Sequence, residues 1–460
     1  MRLRYLFVAS IGLALGLLIL VFWRSPRISS WVPATNELRA NQTIALVTNM
    51  PISSESVSSH FQITPHVSGT LQVNGTKILF DPAEPLEYGR SYTITLSPGL
   101  KGENGLISLS GYQQSYMVSE PEMLFMRQIN GLANLWRQDE SGDTIQLTDE
   151  PNGIWDYDVL PDGSGVLVSS LDSDGSDDLV AIMSSGGRNV LLDCQEHRCR
   201  SGHRQPNGSL IAFERSDIDE SGDSTEVWLL DSTSGSLWPA HKVTLFADEG
   251  FGDAFSRYPR WSSDGRYLSY YKPDARAIVA LDLHGGQPQI IPANVDAMGD
   301  WAPSKYQLSF TELILNETHD DTSDDQDDGI DKANNPSLKT RVLVADIGAS
   351  SVLDLSQGSA FKYGVPEWHP DGGLIATGGA SNGLQQIWML PLDGGEPVEL
   401  TDAPSFRHTS PSWSPDGRRL AFMRSGIEAS DGSAGVWIVD LDGGEPVLVA
   451  EDAFIPGWLP

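Results

Sequence analysis

One short pattern recurs along most of this chain and limits what it can fold into. "PSWSPDGRRLAFMR" begins at Pro411, "PEWHPDGGLIATG" at Pro366 and "PRWSSDGRYLSYY" at Pro259. Weaker copies are "DYDVLPDGSGVLVSS" from Asp156, "GHRQPNGSLIAFE" from Gly202 and "GDWAPSKYQLSFT" from Gly299. A second apolar run follows each copy ("VWLLD", "IVALD", "IWMLP", "VWIVD"), then a tight turn such as "DGGEP" and a third run such as "VELT". One unit therefore reads strand, Pro-Asp-Gly turn, strand, loop, strand, Gly-Gly turn, strand. Four antiparallel strands at a spacing of roughly 40–45 residues make one blade of a propeller.

Six units are complete in this sense. Glu122 to Glu150 supplies the last three strands of another, "LFMR", "NLWRQD" and "IQLT", with no Trp-bearing first strand. That strand stands at the other end of the chain, where Pro456-x-Trp458-x-Pro460 matches Pro411-x-Trp413-x-Pro415. The expected fold is all-β. It is a seven-bladed propeller over 122–460, or six-bladed if one weak copy is not a blade, in which the C-terminal strand joins the first blade. Such closure removes open sheet edges. Trp261, Trp301, Trp368, Trp413 and Trp458 hold equivalent positions and are expected to pack between blades. Asp162, Asp264, Asp371 and Asp416 are expected to cap their turns.

These repeats resemble the Pro-Asp propeller repeats of the TolB type. The resemblance spans 122–460 and implies a non-catalytic protein that binds proteins or other ligands. Ahead of it, 31–118 carries short strands punctuated by Pro, Gly and Asn ("TIALVTN", "GTLQVNG", "TKILFDP", "SYTITLS"). That is the pattern of a β-sandwich. The stretch "VNGTKILFDPAEPLEYGRSYTITLSPGLKGENG" resembles bacterial Ig-like domains, which implies a spacer or adhesive module.

Tyr5 to Trp23 is a run of 19 uncharged residues with aromatics at both ends. That length suits one transmembrane helix. Residues 1–28 are expected to form an uncleaved signal anchor, with a cleaved signal peptide as the alternative. The bulk of the chain is then extracytoplasmic on a single-pass anchor in the cell membrane.

Net charge is −32, from 62 acidic and 30 basic residues. Nucleic acid is therefore not the expected partner, because phosphate binding needs a basic footprint. No G-x-S-x-G, P-loop, H-E-x-x-H or dinucleotide pattern occurs. Catalytic residues and an organic cofactor are not expected. Cys194 and Cys199 in "CQEHRC" are expected to form a disulfide, as exported cysteines do. Zinc on Cys194, His197, Cys199 and His203, and free thiols, are the alternatives. Calcium is a candidate at Asp172, Asp174 and Asp177 in "LDSDGSDD" and at Asp217, Asp219 and Asp223 in "DIDESGD". Alternating oxygens followed by Gly suit a hard cation, although the late bidentate Glu is missing. The run 320–331 reads as a solvated insertion.

The expected function is a membrane-anchored binding or scaffold protein. The alternative is an enzyme acting on glycans or peptides at the propeller funnel. The long acidic segments 171–178, 215–226 and 312–340 all join second and third strands, so they gather on the face opposite the Pro-Asp-Gly turns. The protein or ligand partner is expected on that face, since long loops on a rigid scaffold carry binding.

Overall fold

A computed structural model describes residues 24–459 apart from 33–35, 39–42, 84–85, 140–141, 185, 219–224, 241–254, 315–338, 357–361, 381–383, 427–433 and 442–443. The chain divides into two compact units, residues up to 121 and residues 122–459. No helix among the described residues is long and apolar enough to cross a membrane, and the expected anchor at Tyr5–Trp23 lies outside them.

The first unit is a sandwich of two four-stranded sheets. One runs in the order Ile28–Val32, Ile44–Thr48, Lys77–Pro82, Gly69–Asn74. The other runs Glu37–Leu38, Tyr112–Val118, Ser91–Leu96, Phe61–Thr64. Alternation in "IALVT" and "SYTITL" turns Ile44, Leu46, Tyr92, Ile94 and Leu96 inward, where all are buried together with Ile78 and Tyr116. The sandwich starts at Ile28, ahead of the expected boundary at residue 31.

The second unit is a succession of four-stranded antiparallel meanders, numbered here as repeats by the order of their second strands. The first strands of repeats 2 to 7 are Ile154–Val159, His197–Arg204, Arg257–Trp261, Val295–Trp301, Glu367–Trp368 (with a separate piece, Lys362–Tyr363) and Phe406–Trp413. Repeat 1 consists of Glu122–Ile129, Leu132–Gln138 and Thr144–Gln146, and its sheet is completed by Ala453–Leu459. That strand pairs antiparallel with Glu122–Ile129, Trp458 opposite Met123 and Ala453 opposite Arg127. Repeats 2 and 3 share one eight-stranded sheet through a parallel bridge, Asp177 opposite Arg198.

Second strands carry the continuous apolar runs because sheets cover both of their faces. Leu420, Ala421 and Phe422 are all fully buried, as are Ile211, Ala212 and Phe213. The turns are built as their residues dictate. Asp264 and Asp416 accept the backbone N–H two residues on, at 3.0 and 3.1 Å, and the hydroxyls of Ser262 and Ser414. Asp162 and Asp371 accept from Ser164 and Gly373 in the same way. The following Gly417 takes φ 71°, a conformation glycine adopts without strain.

Candidate functional site

The tryptophans link one repeat to the next. Trp261 donates its indole N–H to the carbonyl of His203 (2.9 Å), Trp301 to Arg260 (3.2 Å, shared with the Ser269 hydroxyl at 3.0 Å) and Trp368 to Asp300 (2.7 Å). Trp413 donates to Glu367 (3.3 Å) and Trp458 to Ser412 (3.1 Å). Each acceptor is the residue just before the tryptophan position of the preceding repeat. Buried indoles need such partners.

That same position forms the site. It is Asp158, His203, Arg260, Asp300 and Glu367 in repeats 2 to 6, Ser412 in repeat 7 and Gly457 in repeat 1. Just upstream, most first strands slip register by a β-bulge, and the bulged residue is left-handed in Ser201, Tyr258, Ser410 and Ile455 (φ 51, 60, 51 and 50°). A bulge re-aims the side chains that follow it. The result is an arc of polar groups in contact across four repeats, with Glu367 of a fifth beside it.

His203 Nδ1 lies 3.3 Å from Asp158 Oδ1, and Arg260 donates to His203 Nε2 at 2.6 Å. A guanidinium only donates, so Nε2 carries the lone pair and Nδ1–H faces Asp158. Arg260 Nε then reaches Asp300 Oδ1 at 3.1 Å. Glu367 follows. Burial, and next the charge of Asp300, push its carboxyl up to about 8, against a smaller opposing pull from Arg260. Repeats 7 and 1 leave the arc open. A Cβ on Gly457 would sit 2.5 Å from the Tyr157 hydroxyl, which donates to the Ile455 carbonyl at 2.8 Å.

A cavity of ≈ 300 Å³ adjoins the arc at the Pro-Asp-Gly end, lined by Asp300, Glu367 and four of the tryptophans, with Ser263, Pro303 and Pro370 from the turns. A second, of ≈ 460 Å³, lies between the turns at Pro161 and Pro206. Deeper along the first strands, the Asp156 carboxylate accepts the N–H of Ser201 (2.8 Å), and Glu214 accepts that of Tyr258 (2.7 Å). Burial raises the Glu214 carboxyl.

The residues singled out from sequence sit elsewhere. Cys194 and Cys199 form a disulfide at the entry to repeat 3 and are buried, so neither sulfur is free to join His197 and His203 as a zinc ligand. Asp172 and Asp174 cap their own turn, accepting from Ser173 and Ser176. The sequence puts Asp177 in an acidic connecting segment as a calcium candidate. It is instead the first residue of a strand, buried against Arg200, whose guanidinium lies 3.6 Å above the Trp155 ring. Asp217 pairs with His197 at 3.0 Å. Asp219, Asp223 and the 320–331 run lie outside the described residues. Among the described residues no group of three His, Cys, Asp or Glu side chains gathers to hold a metal.

Residues 24–118 match the family model for the bacterial Ig-like domain. No curated protein matches the chain. Among solved structures it is similar to a TolB from Agrobacterium tumefaciens (17% identity, 72% of this chain and 89% of that one, TM-score 0.39). It is also similar to TolB from Acinetobacter baumannii (13%, 87% and 83%, TM-score 0.43). An oligogalacturonate lyase from Vibrio parahaemolyticus is a further neighbour (17%, 62% and 72%, TM-score 0.40). At these values the neighbours say nothing of activity or partner.

Proposed function

We propose that this chain is a membrane-anchored, extracytoplasmic binding protein. Its Ig-like module precedes a seven-bladed propeller closed by Ala453–Leu459. The observation that carries this reading is the relay of indole-to-carbonyl bonds, which fixes the first strands into a rigid support around a polar mouth. Rigid supports with convergent polar groups are suited to binding. The Tyr5–Trp23 run supports the anchor. The disulfide supports an oxidising, extracytoplasmic compartment.

A protein partner is assigned to the acidic end opposite the Pro-Asp-Gly turns, where Asp217, Asp219 and Asp223 stand close in sequence. Such a partner is basic, or bridged by calcium. The test is capture from membrane extract by the full-length chain in detergent. Replacing Asp217, Asp219 and Asp223 by Asn is expected to abolish capture while leaving the melting curve unchanged. Chelator is expected to weaken capture if calcium bridges. Undiminished capture by the triple variant overturns this assignment.

A second reading, an enzyme acting on glycans or peptides at the funnel, has one observation in its favour. Asp300 and Glu367 are neighbouring carboxyls, and burial raises that of Glu367, as acid–base chemistry requires of a proton donor. Turnover of a glycan or peptide that is lost in Glu367→Gln would favour it.

A further inference from the structure

The cavity at the Pro-Asp-Gly end has a composition that selects among ligands. Its charged groups are carboxyls, and Ser263 adds one hydroxyl: the Asp300 side chain is 56% exposed, and Glu367 lines the same wall. The Glu367 carboxyl has no hydrogen-bond partner among the described residues, although a half-buried carboxyl ordinarily finds one. The nearby cation is already committed, since Arg260 is divided among His203, the Pro259 carbonyl and Asp300.

The rest of the wall is aromatic. Trp261, Trp301, Trp368 and Trp413 line the cavity, yet each spends its indole N–H on a carbonyl of the preceding repeat. They therefore offer the cavity ring carbon and no donor. The site is rich in acceptors, poor in donors and walled by π-surface. Anions are repelled, and neutral ligands that need donors find none from the tryptophans. A cation with several N–H donors satisfies the carboxyls and packs its stem on the rings.

We infer that this cavity receives an ammonium or guanidinium group on a short apolar stem, with Asp300 and Glu367 accepting its N–H bonds. The inference goes beyond the binding reading above, since it adds a second site at the end opposite the acidic segments. The group belongs either to a free small amine or to a Lys or Arg side chain of a partner.

The charged groups facing Glu367 are Asp300 and Arg260; its counterparts from repeat 7, Ser412 and Trp413, carry none. A cation arriving beside Glu367 must displace the proton that this carboxyl holds up to about 8. Binding should therefore release a proton near neutrality and tighten with pH.

The experiment is calorimetric titration of the full-length chain in detergent with cadaverine and with acetyl-Gly-Lys-Gly-amide, with butyrate as the anionic control. Both cationic probes stay charged from pH 7 to 9. Affinity is expected to rise up to about tenfold over that interval, because a carboxyl titrating near 8 is mostly protonated at the lower end and ionised at the upper. Glu367→Gln, which mimics the protonated carboxyl, should bind no more tightly than the wild type at pH 7 and lose the rise. Asp300→Asn should weaken binding at least tenfold at both pH values. Tighter binding of the peptide assigns the site to a partner's side chain; tighter binding of cadaverine assigns it to a free amine. Butyrate binding as well as either amine, or amine affinity indifferent to both substitutions, overturns the inference. If the Asp300→Asn protein loses amine binding but still captures the membrane partner, the inference stands independently of the partner assigned to the acidic end.

Discussion

Repeats 4 to 7 and repeat 1 are joined to their predecessors differently from repeats 2 and 3. In the first group an indole donates to a backbone carbonyl at every junction. Repeats 2 and 3 have Val159 and Arg204 where the tryptophan belongs. Their junctions use other means. Tyr157 reaches the Ile455 carbonyl, Asp156 takes the Ser201 N–H, Arg200 pairs with buried Asp177, and a disulfide sits where the chain passes from repeat 2 to repeat 3. A contact made to backbone needs only the donor to be kept, so it recurs as a visible motif. A contact between two side chains can be replaced by any other pair that fits. The weak copies of the repeat are thus weak in pattern without being loose in packing: Leu167, Leu179, Cys199, Ile211 and Phe213 form a shared buried cluster there.

The comparison can be pressed hardest at the junction of repeats 7 and 1. Deleting residues 453–460 removes Trp458 with its hydrogen bond and leaves Glu122–Ile129 without a neighbour on one side. The expected loss exceeds the roughly 3–5 kcal/mol of a single buried aromatic truncated to Ala. An unchanged unfolding midpoint in denaturant would show that the pairing contributes nothing.

Trp368→Ala isolates one indole junction. It should destabilise by about 3–5 kcal/mol through the cavity it leaves. Trp368→Phe, which keeps most of the ring and loses only the bond to the Asp300 carbonyl, should cost nearer 1 kcal/mol. Equal losses in the two variants would mean that the hydrogen bond, and not packing, dominates these junctions.

An effect smaller than the loss of a whole indole belongs to the tryptophan-free pair. Cys194→Ser, or reduction, opens a loop with a sequence separation of 5 and should cost about 2 kcal/mol by the loop-closure argument. Hydrogen exchange should then rise in repeats 2 and 3 and stay unchanged around Trp368 and Trp413. Protection lost evenly through all repeats would erase the distinction between the two kinds of junction.

The repeat pattern made the strands, turns and junction tryptophans legible in advance, because turn chemistry and indole burial each demand particular residues. The arc was not legible. Asp158, His203, Arg260, Asp300 and Glu367 share no chemistry, and in sequence they lie tens of residues apart. What they share is a register, one place before the tryptophan position, and aligning the repeats on that column would have found them. Asp177 misled for the opposite reason. It sits in an acidic stretch that reads as solvated loop, and only the partner Arg200, from the next repeat, explains its burial. Neighbours supplied by a different repeat are invisible to local pattern.

The pairing of Ala453–Leu459 with Glu122–Ile129 also sets a timetable for the newborn chain. The strands of repeat 1 up to Gln146 leave the ribosome roughly 300 residues before their missing partner. At about 5–20 residues per second that is a wait of roughly 15–60 s. Throughout it, the edge at Glu122–Ile129 presents unpaired N–H and carbonyl groups to whatever strand comes by. A copy of the same chain, a few steps further along in synthesis, carries the matching segment. Pairing between neighbouring nascent chains thus competes with completion of each molecule's own first sheet.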